Sequence, residues 1–427
     1  MRAPLAARGL RSIAIFSPNN SSLYFSTLAG LRKQLTNRGI DVHVGWGYLN
    51  PMQLAQFCDL FKPDVILEID RTRDRAQGLP RHVKHVAWVQ DWRSMGNRER
   101  HRSNEAFGGS DFYLFCTRPA AIGIDPTVVK NWGYLLWGAD PDLFFPSDPM
   151  PLSDFSLMGY IPPKYRLGIA DEPLMADLGG RGVAMQHANL GTVRELVAAL
   201  KSRGLSWNSY DATAAHRFMN EYIYERLHRR HRLDAWIFGS LAGLRLPLAP
   251  RDTCMIPDDL LYGIENLYMR ADGRKALVDA VLSVSTSLRI FGIGEWETYP
   301  EYQSYFRGPL HSEEEVREMF VTTRINLHNA MSQVHSRALD CMASGSVILV
   351  NRIYDNTPES PECLRHFMEP GTHYFEYDDE TLPELARELL ANEPGRRKVG
   401  RAAREAIVDG HTWAHRVDQL LDYLAGL

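Results

Sequence analysis

The sequence predicts an α/β protein made of two Rossmann-like halves facing a cleft, with a helical insertion in the C-terminal half. Three observations carry this. Short apolar runs alternate with amphipathic stretches over residues 1 to about 140, the pattern of parallel strands with helices on both faces. A segment dense in Pro and Asp, Trp137 to Pro151, then breaks the pattern. The alternation returns after about residue 270. At 427 residues the chain is too long for one ordinary core. The expected parts are an N-terminal domain over 1–142, a linker over 143–153, a C-terminal domain over 154–410 and a closing helix over 411–427.

The first strand is RSIAIF, Arg11 to Phe16. After SPNNSS comes a helix, Leu23 to Arg38, with Leu28, Leu31 and Leu35 at helical spacing and Gly39 as its stop. Further strands are Asp41 to Trp46, VILEID after Pro63-Asp64, HVAWVQ from His85 and DFYLFC from Asp111. DFSLMGYIPP, from Asp154, starts the second half. Residues 164 to about 270 read as a mostly helical insert. Then follow a helix (Lys275 to Ser283), the strand and turn LRIFGIG, a helix from Ser312 opened by a Ser-x-x-Glu cap, and the strand INLHNA. HSRALDCMASGSVILVN, His335 to Asn351, is the next helix and strand. Three helices end the chain, over 382–390, 396–408 and 411–424.

Composition narrows the function classes. A net charge of −4 gives no global electrostatic argument for nucleic acid. The five cysteines form no CxxC or CxxH pair, so neither a zinc site nor a disulfide framework is indicated, and reduced thiols in a cytoplasm fit best. No apolar stretch reaches the ~18 residues that span a bilayer. The basic start MRAPLAARGLR has no apolar core after it and reads as a lead-in, not a signal peptide.

LRIFGIGEW, YFRGPL, INLHNAMSQVHSRALDCMASGSVILVN, FMEPGTHYFEYDDETLPELARELL and HTWAHRVDQLLDYL occur in that order. Together they resemble group 1-type glycosyltransferases of the GT-B fold, most of all the spore-maturation-protein-B-like branch. The likeness covers residues 154–163 and about 270–424. The first half resembles the acceptor domain of that fold only in its strand order, and WGADPDLFFP resembles its linker. The resemblance implies a nucleotide-sugar donor in the C-terminal half, an acceptor in the N-terminal half and no metal or other cofactor. Retaining group 1 enzymes carry two Glu eight residues apart here; the corresponding positions hold Ser332 and Asp340.

The chemistry agrees. A diphosphate needs cations or helix N-termini with free N–H groups. Arg337, near the start of the helix expected to open at Ser336, offers both, with His335 beside it. Gly292 and Gly294, next to Glu295, would let backbone approach the phosphates. Asp340, one turn after Arg337, is placed on the same face as an acceptor for a ribose or sugar hydroxyl, or else as a simple (i, i+3) partner of Arg337. Gly371 belongs to a loop that the resemblance puts near the donor. Asp91, at the end of the strand from His85, is the candidate general base for an inverting reaction, with Glu68 and Asp70 behind it. Asn19, Asn20 and Ser21 follow the first strand as acceptor or cleft residues, or as a capped helix start. Asp140-Pro-Asp142 has a metal-binding look, but a linker turn explains it. His411 and Arg416 read as structural.

The insert contains RFMNEYIYERLHRRHR, Arg217 to Arg232, an amphipathic helix with a basic end. Its sharper reading is a contact for an anionic acceptor or a membrane surface; its plainer one is a solvated helix end. The expected protein is a cytoplasmic, metal-independent glycosyltransferase, peripheral to the inner membrane face if that helix binds lipid. The acceptor stays open among glycan, lipid-linked, protein and small-molecule classes. Two other readings keep the fold: a nucleotide-sugar 2-epimerase and a non-catalytic binding module.

Overall fold

A computed structural model of the chain describes residues 9–19, 22–90, 104–117, 119, 126–161, 273–294, 296–330, 333–352, 363–378 and 380–427. The expected helical insert over 164–270, with its basic helix over 217–232, lies outside the described residues.

The N-terminal half holds β1 (Ser12–Ser17), β2 (Asp41–Trp46), β3 (Val65–Ile69), β4 (Lys84–Val89), β5 (Phe112–Phe115) and β6 (Trp132–Tyr134). They form one parallel sheet in the order β2-β1-β3-β4-β5-β6. The second sheet, also parallel, has β7 (Ser153–Met158), β8 (Leu288–Phe291), β9 (Thr323–His328), β10 (Ile348–Asn351) and β11 (Phe375–Tyr377) in the order β11-β10-β9-β7-β8. Each sheet therefore winds one way from its first strand and then the other. The reversal falls between β1 and β3 and between β7 and β9. At such a switch point the loops leave the strand ends on opposite faces, and a crevice opens beyond the carboxyl edge. This is the expected two-Rossmann, GT-B architecture.

The helices follow from local rules. In α1 (Ser22–Thr36), Leu28, Leu31 and Leu35 recur at helical spacing and are buried with Ile13, Ile15 and Val65. Burying each removes enough apolar surface for about 1.5–3 kcal/mol. The sequence reading has no counterpart for α2 (Pro51–Phe61). There, Asn50 Oδ1 accepts from the Gln53 N–H (2.9 Å), while Gln53 Oε1 accepts from the Asn50 N–H (3.1 Å). Asn-Pro, a turn signal on sequence, here opens a helix because proline fits its first position. The three-residue β6 was too short to show a period. After α2 come the single turn α3 (Asn104–Phe107), α4 (Arg274–Leu282), α5 (Glu313–Val321) and α6 (Ser336–Ala343). The last three are α7 (Leu382–Ala391), α8 (Glu393–Gly410) and α9 (Trp413–Leu424). Ser312 caps α5 through its hydroxyl, which accepts from the Glu315 N–H at 3.2 Å.

One apolar cluster runs through both halves, from Ile13 and Leu28 through Trp137 and Val334 to Leu424. α9 packs against α1 of the other half. A side chain at Gly30 would come within 2.4 Å of the Trp413 indole, so only glycine lets the two helices approach this closely. Arg38 Nε donates to Asp418 at 2.8 Å. Around the connection between the sheets, Ala139 and Trp413 exchange backbone bonds with residues 411 and 139. Arg416 Nε donates to the Trp137 carbonyl at 2.9 Å and Arg416 Nη2 meets His411 Nδ1 at 2.9 Å. Burial and the Arg416 charge lower the His411 pKa to about 4.

Candidate active site

The site is built from the carboxyl ends of β7, β8 and β9 and the start of α6. The loop after β7 begins with Gly159, and the loop after β9 with Asn329. Arg274 opens α4 and lies buried beside Gly159, its Cζ 3.1 Å from where a side chain would start. Its Nη2 donates to the Asn329 carbonyl at 3.5 Å. Arg337 Nη1 donates to the Met158 carbonyl at the end of β7. His335 lies between them and packs its ring on Trp137 (centroids 5.3 Å apart) and on His328 (5.6 Å). Arg274, His328, His335 and Arg337 thus form a basic cluster over the switch point of the second sheet.

The described residues between β9 and α6 are tied to the neighbouring strands. Asn351, ending β10, exchanges two bonds with the Ala330 backbone (2.9 and 3.0 Å). Gln333 Nε2 donates to the Asn351 carbonyl at 2.9 Å, and its Oε1 accepts from the Leu364 N–H at 3.0 Å. The Asn329 amide donates to the Tyr377 hydroxyl at 3.4 Å. These bonds fix the entry to α6, and so the place of His335 and Arg337, before a ligand arrives.

His335, not Ser336, is the N-cap of α6. Its Nδ1 accepts from the Arg337 N–H at 3.3 Å, so Ser336 becomes the first helical residue and is buried. An imidazole lone pair does here what a hydroxyl does in most caps. Burial, then the charges of Arg337, His328 and Arg274, hold the His335 pKa well below its ordinary value. The neutral ring with Nδ1 accepting carries its proton on Nε2.

Several sequence candidates stand elsewhere. Asp340 does not share the surroundings of Arg337: it lines a separate pocket with Lys33, Asp140, Glu313 and Trp413. Gly292 and Gly294 both have φ +131°, and side chains there would come within 2.8 Å of the backbone of Gly159 and Ile161. The missing side chains make room for the neighbouring loop. Gly371 (φ +80°) sits in an exposed turn before β11, with nothing within 4 Å of where its side chain would be. It is not among the residues that meet the basic cluster.

In the N-terminal half, Asn19 is exposed after β1, and its carbonyl accepts from the Ser17 hydroxyl at 2.7 Å. Glu68 is a brace: fully buried, it pairs with Arg71 (3.0 Å) and His85 (3.0 Å). Asp70 is left-handed (φ 57°) and accepts from the Gln90 N–H at 2.7 Å. It shapes the turn that leaves β3 and the start of the loop after β4. Asp140 and Asp142 both bind Lys33, at 2.9 and 2.8 Å. Asp91, Asn20, Ser21, Glu295 and Ser332 lie outside the described residues. Arg274 was missed on sequence. It follows Asp272-Gly273 as an ordinary helix-opening residue, and only the fold brings it to Gly159.

Residues 272–422 match the model of a glycosyl transferase-like family. That stretch is a glycosyl transferase-like domain. It carries Arg274, His328, His335 and Arg337 and every strand of the second sheet except β7. The chain as a whole has the GT-B fold. Among solved structures the chain is similar in fold to the Anabaena protein Alr3699/HepE in complex with UDP and glucose. The identity is 8% and the TM-score 0.50, over 98% of this chain and 100% of that one. AviGT4, a glycosyltransferase involved in avilamycin A biosynthesis, aligns at 11% identity and a TM-score of 0.47, over 98% and 99% of the two chains. No curated protein matches in sequence.

Proposed function

We propose that this protein is a glycosyltransferase, which takes its sugar from a nucleotide-sugar donor bound in the C-terminal half and passes it to an acceptor hydroxyl presented by the N-terminal half. The observation that carries the reading is the basic cluster of Arg274, His328, His335 and Arg337 at the switch point beside the α6 N-terminus. A leaving nucleoside diphosphate gains negative charge as the glycosidic bond breaks. Preorganised cations and helix N–H groups stabilise that charge more in the transition state than in the ground state. Arg274 and Arg337 supply the charge, and the neutral His335 supplies an Nε2–H donor. With two guanidinium groups in this place, the transfer needs no divalent ion. The fold neighbour HepE was solved with UDP, so a UDP-sugar is the first donor to try.

A thermal-shift panel of UDP, GDP, dTDP, CMP and ADP, each with and without Mg²⁺, tests this. A ligand that binds only the native state raises the midpoint by an amount set by its excess over Kd. The reading expects one nucleoside diphosphate to stand out, equally with and without Mg²⁺. A flat panel would remove the donor assignment, and a shift seen only with Mg²⁺ would remove metal independence.

A further inference from the structure

A second pocket, of about 320 Å³, lies between the two halves. Ser26, Ala29, Gly30 and Lys33 of α1 line it from one side, and Glu313 and Asp340 from the other, with Asp140, Leu143, Phe144 and Trp413 closing it. Its charge is unbalanced. Lys33 is engaged by Asp140 and Asp142. Glu313 faces Ser26 of α1 across the pocket, close enough for the hydroxyl to favour its ionised form. Neither Glu313 nor Asp340 has an ion-pair partner among the described residues. Asp340 is the telling group: 9% exposed, it lines the pocket with no hydrogen bond to its carboxyl among the described residues. A buried carboxyl without a partner is costly and calls for a ligand, an ion or water to satisfy it.

We infer that this pocket is a binding site for a small organic cation, a protonated amine on a short apolar body, held by Asp340 and Glu313. The ammonium would supply the donor that the Asp340 carboxyl lacks and a charge partner for Glu313. Leu143, Phe144 and Trp413 would take the apolar body, and the indole face suits a cation. Among the described residues, no three His, Cys, Asp or Glu side chains are spaced to hold a metal ion, which favours an organic cation with several points of contact. Burial and the charges of Glu313 and Asp140 push the Asp340 pKa well up, so a bound ammonium would also restore the ionised form. Such a ligand touches both halves, and through α6 it is one turn from Arg337.

The test uses the full chain at pH 7.5 with n-butylammonium chloride, against n-butanol and against NaCl at equal ionic strength. Saturation-transfer NMR reads binding, and the unfolding midpoint reads stabilisation. The inference expects transfer to butylammonium but not butanol, and a midpoint rise of roughly 2 °C. Both effects should vanish in Asp340→Asn, which removes the charge at nearly constant shape. Ala29→Leu, which fills the pocket from the exposed side of α1 and keeps both carboxyls, should abolish them too. It decides the matter if Asp340→Asn fails to fold. Equal signals from butanol, or signals that survive both substitutions, would overturn the inference. So would displacement of butylammonium by uridine, which would make the pocket part of the nucleotide site.

Discussion

Arg337 and Arg274 reach the same place from two different helices of the second half. One stands in the first turn of α6, the other in the first turn of α4. Charge-assisted bonds of this kind contribute about 1.5–3 kcal/mol each. Arg337→Ala and Arg274→Ala should therefore each weaken nucleoside diphosphate binding by about tenfold or more in a calorimetric titration, with little effect on the free nucleoside. His411 makes a separate, pH-dependent contribution. Its folded pKa, about 4, lies below the ordinary value of 6.5. As pH falls, the unfolded chain takes up this proton first. The stabilisation is complete above pH 6.5 and is lost as pH falls towards 4, on the order of 1–3 kcal/mol. Denaturant titrations between pH 7 and 4 should show that loss, and His411→Asn should flatten this part of the profile. At this scale the sequence was only partly legible. Arg337 and His335 could be read from their place before a helix that feeds a strand. Which of His335 and Ser336 caps the helix, and where Asp340 sits, could not, because both depend on which neighbours the tertiary fold supplies. Arg274 was illegible because its partner Gly159 lies 115 positions earlier in the chain, beyond the insert.

The loops after β7 and β8 lock together through glycine. The Gly292 N–H donates to the Gly308 carbonyl at 3.1 Å, and the Gly159 N–H to the Phe291 carbonyl at 2.9 Å. Gly292→Ala would put a side chain on a φ of +131° and against the Gly159 carbonyl. It should cost about 1–3 kcal/mol, read as a lower unfolding midpoint. It should also weaken donor binding, because the same loop positions Arg274. Most strands and helices were legible, since apolar runs and 3.6-residue spacing survive without tertiary help. Residues 51–61 and 132–134 were not. The first needed the reciprocal Asn50–Gln53 cap to outweigh a turn signal, and the second is three residues long.

The whole molecule is held by a clasp. α9 leaves the second half and packs on α1 of the first, so one apolar cluster serves both. Trp413→Ala should lower stability by about 3–5 kcal/mol. It should also resolve a shared calorimetric transition into two, because the halves would then unfold separately. The two-half architecture was readable from the alternation and the Pro- and Asp-dense break. The clasp was readable only as a resemblance, since sequence spacing does not say which surface a terminal helix will cover.

On the proposed function, the basic cluster holds the diphosphate of a nucleotide-sugar donor without a metal ion. The most direct measurement is a calorimetric titration of UDP against uridine in the presence of EDTA, for the native chain and for Arg274→Ala/Arg337→Ala. UDP should bind the native chain in EDTA, uridine should bind far more weakly, and the double substitution should bring UDP close to the level of uridine. UDP binding that needs Mg²⁺, or that survives loss of both arginines undiminished, would contradict it.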